Sequence, residues 1–215
     1  MKYLVVGYGQ IGQELVRQLT ERGDRVTVVK RSGMAQCRGV EVIQGDVQEV
    51  LPELSSDGFD GVFNCMHAAG AVFHQLVFDR VMKGRRPLGM GDVRVPRSIT
   101  YIPDLVRGMM CAVENAHDLP SVVHAPALAP VSQVELARAF ARVASKPETS
   151  GVVQIPWTVM KVTGLFSQTF RELHNQRYLW DSPHVLHTGI LADLPVTSLD
   201  VALKECVLRR EKAPL

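Results

Sequence analysis

Three glycines near the start of the chain, Gly7, Gly9 and Gly12, stand in G-x-G-x-x-G spacing. They follow the apolar run KYLVV and open the helix-patterned stretch QELVRQLTERG, so they fall at a strand-to-helix turn. In such a turn the first glycine permits the tight reversal, the second lets backbone approach a pyrophosphate, and the third lets the helix pack close to its strand. The helix then offers its unpaired N–H groups and the positive end of its dipole to the anion. The competing reading is a glycine turn that serves only the backbone. Further along, the strand-like RVTVVK ends at Lys30, Arg31 and Ser32, with no carboxylate. An Asp or Glu there would accept from a ribose 2′-hydroxyl, whereas basic residues accommodate a 2′-phosphate, so the chemistry favours NADP over NAD unless Lys30 and Arg31 are merely a solvated strand end.

Other reactive side chains are sparser. His67 and His74 lie beyond a fourth predicted strand, where a histidine pair could act as acid and base near neutral pH or could be structural. Tyr101 and Asp104 sit in RSITYIPDL: proton chemistry competes with a packed tyrosine and an aspartate that caps a helix. Arg97 could receive an anionic substrate or lie on the surface. The seven histidines and four cysteines, Cys37, Cys65, Cys111 and Cys206, show no metal-ligand spacing and no disulfide framework, so no metal is expected.

The elements that would position these groups alternate along the chain. Arg25–Lys30, Val40–Ile43 and Gly61–Met66 read as strands, and Val50–Leu54 as a short helix. This β-α-β pattern implies a doubly wound parallel sheet with right-handed crossovers. Ser121–Ala125 and Gly151–Ile155 are further strand candidates. Val131–Ala144 is an amphipathic helix with a Ser132/Glu135 capping box. Trp157–Val162, Gln168–Gln176 and Ser198–Arg209 also have helical patterns.

At 215 residues, 46% hydrophobic and a net charge of +2, the chain has the composition of a globular protein with a sizeable core. The charge is too small to imply nucleic acid, and the basic MKGRRP stretch reads as a solvated turn. No apolar run approaches the length of a membrane span, no leader pattern opens the chain, and a cytoplasmic protein with no membrane partner is expected.

The stretches GYGQIGQELVRQL, GVEVIQGDV and FNCMHAAG resemble the cofactor half of the extended short-chain dehydrogenase/reductase superfamily, in its NAD-dependent epimerase/dehydratase branch. FHQLVFDRVMKGRRP and RSITYIPDLVRGM are similar to later segments of the same family. The resemblance implies an α/β Rossmann-like domain over 1–125 and a small α/β C-terminal substrate lobe over 126–215. It implies that Gly7, Gly9, Gln10, Ile11 and Gly12 hold the pyrophosphate and Lys30 and Arg31 the 2′-phosphate. Asp46 and Val47 would lie against the adenine, and Asn64, Cys65 and Met66 beside the nicotinamide ribose. NADP(H) is the implied cofactor, with NAD possible.

The family's redox step uses a Tyr four residues before a Lys, and this sequence contains no Y-x-x-x-K. Relative to the family, roughly 60 to 90 residues, two β-α units of about 30 or more each, are missing near 68–72. The sheet is therefore expected to be truncated in its second half, leaving a bare face for another chain or the C-terminal lobe to cover, and a homodimer or other homo-oligomer is expected. Three functions follow as alternatives: a non-redox isomerisation, cyclisation or elimination on a small molecule, a non-catalytic NADP(H)-responsive binding protein, and an NADP-dependent oxidoreductase or epimerase working with substitute residues.

Overall fold

The computed structural model describes residues 1–31, 39–50, 52, 54, 58–65, 75–147, 151–186, 189–191 and 193–212. The chain forms two compact units. One comprises Met1–Ala68, Ile102–Pro126 and Thr188–Pro195, the other Ala69–Tyr101, Ala127–His187 and Val196–Leu215.

The first unit is built on four parallel strands, β1 (Lys2–Val6), β2 (Arg25–Lys30), β3 (Val40–Gln44) and β4 (Gly61–Asn64), in the order β3-β2-β1-β4. Val5 pairs in register with Val28 on one side and Phe63 on the other. Both sheet faces are covered near β1 and β2, which is why these strands read as continuous apolar runs and not as alternating ones. Tyr3, Val5, Val26, Val28 and Phe63 face α1 (Gln10–Glu21) and α4 (Ile102–Glu114), while Leu4, Val6 and Val29 pack on the opposite face with Val47, Val50 and Phe59. The truncated Rossmann-like sheet expected from sequence is present: among the described residues it ends at β4, where Val62 is 57% exposed.

Local details differ from expectation. The short helix α2 spans Val47–Val50, earlier than the expected Val50–Leu54, because Asp46 starts it: its carboxylate accepts from the Gln48 N–H at 2.9 Å, and its carbonyl accepts from the N–H groups of Glu49 and Val50. Ser121–Ala125 is not a strand. Its apolar composition finds no ladder partner, and Val122 is exposed. Around RSITY the backbone forms only single bridges, from Arg97 to Val131 and to His184.

The second unit contains a parallel pair, β5 (Leu88–Met90) with β6 (Val153–Ile155). A π-helical turn, Gln75–Asp79, runs into α3 (Arg80–Met82), and α5 (Gln133–Val143) and α9 (Leu199–Lys212) complete its core. Phe78, Val81, Leu136, Phe140, Leu203 and Val207 pack together, with the rings of Phe78 and Phe140 stacked at 4.4 Å. Through Phe78 and Val81, the stretch before residue 101 thus shares a core with α5 and α9. The expected capping box is formed: Ser132 Oγ accepts from the Glu135 N–H while Glu135 Oε2 accepts from the Ser132 N–H. The helices α6 (Trp157–Thr163), α7 (Gln168–Asn175) and α8 (Arg177–Asp181) follow β6.

Candidate functional site

The carboxyl edge of the first unit's sheet gathers most of the residues singled out in the sequence. Gly7 leaves β1 with φ 93°, a left-handed conformation that favours glycine. Its N–H donates to the Val29 carbonyl at 3.0 Å, which ties the turn to β2. Gly9 is the N-cap of α1, and no side chain caps the helix, so the first-turn N–H groups at Gln10, Ile11 and Gly12 remain for an external anion. A Cβ on Gly9 would meet nothing within 4 Å, whereas one on Gly12 would lie well under 3.0 Å from the Gly7 carbonyl oxygen. The two glycines therefore serve different ends. Gly12 lets the helix approach the strand, and Gly9 leaves open space above the backbone.

At the end of β2, Lys30 Nζ lies 5.0 Å over the ring of Tyr8, inside the glycine loop. This cation–π contact holds a positive charge beside the turn. Arg31 is exposed next to it, and its carbonyl accepts from Gln44 Nε2 at 3.5 Å. Past β3, Gly45 N–H donates to the Lys30 carbonyl at 3.1 Å. This brings exposed Asp46 to the same edge, while Val47 turns partly into the core beneath. Asn64 closes the row at the end of β4 with its side chain exposed.

Cys65, expected to line the wall beside the nicotinamide ribose, is buried just past β4. Its N–H donates to the Val6 carbonyl at 2.7 Å, and its side chain is buried against the Gly12 side of the turn. Burial pushes the thiol up to about 11, so it packs as a small apolar group. Met66, His67 and His74 lie outside the described residues.

Arg97 and Tyr101 belong to the second unit. The Arg97 guanidinium sits 5.0 Å over the Trp180 ring, and its Nη1 donates to the Leu179 carbonyl at 2.6 Å. Nε and Nη2 are buried with no hydrogen-bond partner among the described residues. Desolvation pulls the guanidinium pKa down while Asp181 opposes it. Asp181 in turn accepts from Trp157 Nε1 at 3.1 Å and from the Asp92 N–H at 3.2 Å. Two unfilled N–H donors on a fixed, charged fork suit a carboxylate or phosphate. Tyr101 is engaged otherwise, its hydroxyl donating to the Glu205 carboxylate on α9. Asp104 is buried in the first turn of α4 and paired with Arg107. The Trp180 platform and the Tyr8–Lys30 contact were missed in the sequence. The first joins residues far apart in the chain, and the second depends on how the glycine turn folds back over β2.

Residues 3–71 match the family model described as the TrkA-N domain. Over almost the whole chain, the structure is similar to the UDP-glucose 4-epimerase of Thermotoga maritima solved with UDP-glucose. That match is 13% identical with a TM-score of 0.69, and covers 99% of each chain. The chain shares the Rossmann-like α/β fold of that epimerase. A Bacillus cereus UDP-glucuronic acid 4-epimerase solved with NAD shares it at 13% identity and a TM-score of 0.66, covering 95% of this chain and 96% of that one. A human epimerase family protein solved with NADPH shares it at 15% identity and a TM-score of 0.64, covering 98% and 100%. Among curated protein sequences the comparison found no match. The sheet edge holds the glycine turn, Lys30, Arg31, Asp46 and Asn64, and the sequence contains no Y-x-x-x-K. Among the described residues no helix is long and apolar enough to cross a membrane.

Proposed function

We propose that the first unit binds NADP(H), and that the protein catalyses a non-redox step, an isomerisation, cyclisation or elimination, on an anionic small molecule. The observation that carries the nucleotide reading is the sheet edge itself. A left-handed Gly7, open space over Gly9 and an uncapped α1 form a pyrophosphate cradle, and Lys30 and Arg31 stand where a carboxylate would select NAD. In this reading Gly7, Gly9, Gln10, Ile11 and Gly12 hold the pyrophosphate, and Asp46, Val47 and Asn64 flank the rest of the cofactor. Bound nicotinamide would supply hydride chemistry, but the sequence has no tyrosine–lysine pair to move the matching proton. His67 and His74 are the acid–base candidates for the alternative step.

Arg97 supports the anionic substrate class. A buried guanidinium with two vacant donors is costly unless a ligand fills them, and a phosphate or carboxylate does so bidentately. That one structural neighbour was solved with UDP-glucose is in keeping with a phosphate-bearing substrate. A second reading, a non-catalytic NADP(H)-responsive binder, draws on Tyr101, whose hydroxyl is committed to Glu205 and not to an open site.

The test is a titration of the purified protein with NADPH, NADH and a panel of sugar phosphates, followed by thermal unfolding and product analysis. Stabilisation by NADPH over NADH, with substrate conversion that Arg97→Met lowers tenfold or more, is the expected result. No stabilisation by either nucleotide overturns the nucleotide reading. Stabilisation without conversion of any substrate favours the binder.

A further inference from the structure

Apolar side chains that should be buried lie in the open on one helical hairpin of the second unit. Val159 and Val162 are about half exposed on α6. In the turn that continues the helix, Leu165 is 75% and Phe166 90% exposed, and Phe170 on α7 is also exposed. Val159, Val162 and Phe166 recur at intervals of three and four, so they form one stripe along the helix. The hairpin is held closed by Gly164, where a Cβ would come within 3.0–3.1 Å of the Arg171 backbone, so α6 and α7 meet at close range and present the stripe as a fixed surface.

We propose that this hairpin is the interface through which two copies of the chain associate across a two-fold axis. Together these side chains expose on the order of 600 Å² of surface, the upper end of what the largest patch on a monomer carries. Buried on both copies, it amounts to about 1,200 Å² in all, the lower end of the range of specific, stable interfaces. An isologous contact must complement itself, and this border carries both signs, Lys161 and Arg171 beside Glu172. A stripe at helical spacing is the surface that a second helix packs against, ridge into groove. The exposed face of β4 is the weaker alternative, since Val62 is its one exposed apolar residue among those described there.

The inference is independent of the nucleotide reading, and the full-length chain tests it. Sedimentation from about 1 to 100 µM is expected to show a dimer. Val162→Asp and Phe166→Asp each weaken association by roughly thirtyfold or more. Both positions are exposed, so circular dichroism and melting of the monomer stay unchanged, and Phe166→Leu retains the dimer. A wild-type chain that is monomeric throughout overturns the proposal, as does a dimer that both aspartate variants leave intact. Flotation with vesicles of phosphatidylcholine and phosphatidylserine by a chain that does not self-associate overturns it in favour of a lipid surface.

Discussion

Replacing Gly9 and Gly12 by alanine, one at a time, separates ligand approach from helix packing. A Cβ on Gly12 would be forced onto the Gly7 carbonyl, a backbone group, in a turn whose Gly7 N–H is already tied to the Val29 carbonyl, so the turn itself must shift to admit it. Overpacking costs about 1–3 kcal/mol, and a backbone obstacle places this case near 3. Alanine returns about 1 kcal/mol through helix propensity, leaving a net loss of about 2 kcal/mol. For a chain of this length that lowers the melting temperature by about 4–8 °C. Gly9→Ala meets open space at an ordinary φ of −78°, so its cost is that of an alanine N-cap, about 1 kcal/mol or less and about 2–4 °C. The nucleotide reverses the order. At a hundredfold excess over Kd, NADPH should stabilise the wild type by about 2.7 kcal/mol, or about 5–11 °C, and Gly9→Ala should lose most of that gain because its methyl occupies the anion's approach. Thermal unfolding of the three proteins with and without NADPH decides the matter. A Gly12→Ala protein that melts with the wild type would refute the packing argument, and a Gly9→Ala protein with the full NADPH shift would refute the cradle.

Further outcomes follow from single side chains. If Lys30 meets the 2′-phosphate as proposed, Lys30→Ala should weaken NADPH roughly tenfold to a hundredfold and leave NADH nearly unchanged, as read by calorimetric titration. Cys65 should make stability fall between pH 9 and 11. Its ordinary value is 9.0 and burial pushes it to about 11, so in that window the unfolded chain releases a proton that the folded one keeps. In denaturant titrations across this range, stability should fall by about 2–3 kcal/mol less in Cys65→Ala than in the wild type, with no contribution from this thiol below pH 9; the buried Tyr3 phenol, also raised by burial, adds its own fall above pH 10. Ser132→Ala removes the capping box on α5 and should cost about 1 kcal/mol, checked by urea unfolding.

Local pattern carried much of this protein. The glycine spacing, the strands β1 to β4 and the Ser132/Glu135 start of α5 are each set by residues within a few positions of one another, where steric permission, apolar period and capping act. The same locality explains the misreadings. Ser121–Ala125 has strand composition, but a strand exists only when a distant ladder accepts it, and nothing in five residues reports that partner. Cys65 stands at the end of β4 beside the expected cofactor wall, but whether its thiol faces the ligand or the core depends on how closely α1 comes down at Gly12.

What the sequence by itself determined is the type of chemistry at the amino-terminal edge: a turn only glycine tolerates, a helix left uncapped, and basic residues where an acid would stand. Tertiary structure alone decided that Lys30 leans over Tyr8, that Arg97 is roofed by Trp180 with Nε and Nη2 unpaired among the described residues, and that Phe166 faces outward. The reason is physical. Turn geometry and capping are energies of neighbouring residues, whereas burial and charge environment are properties of the surface that remains after remote segments have packed.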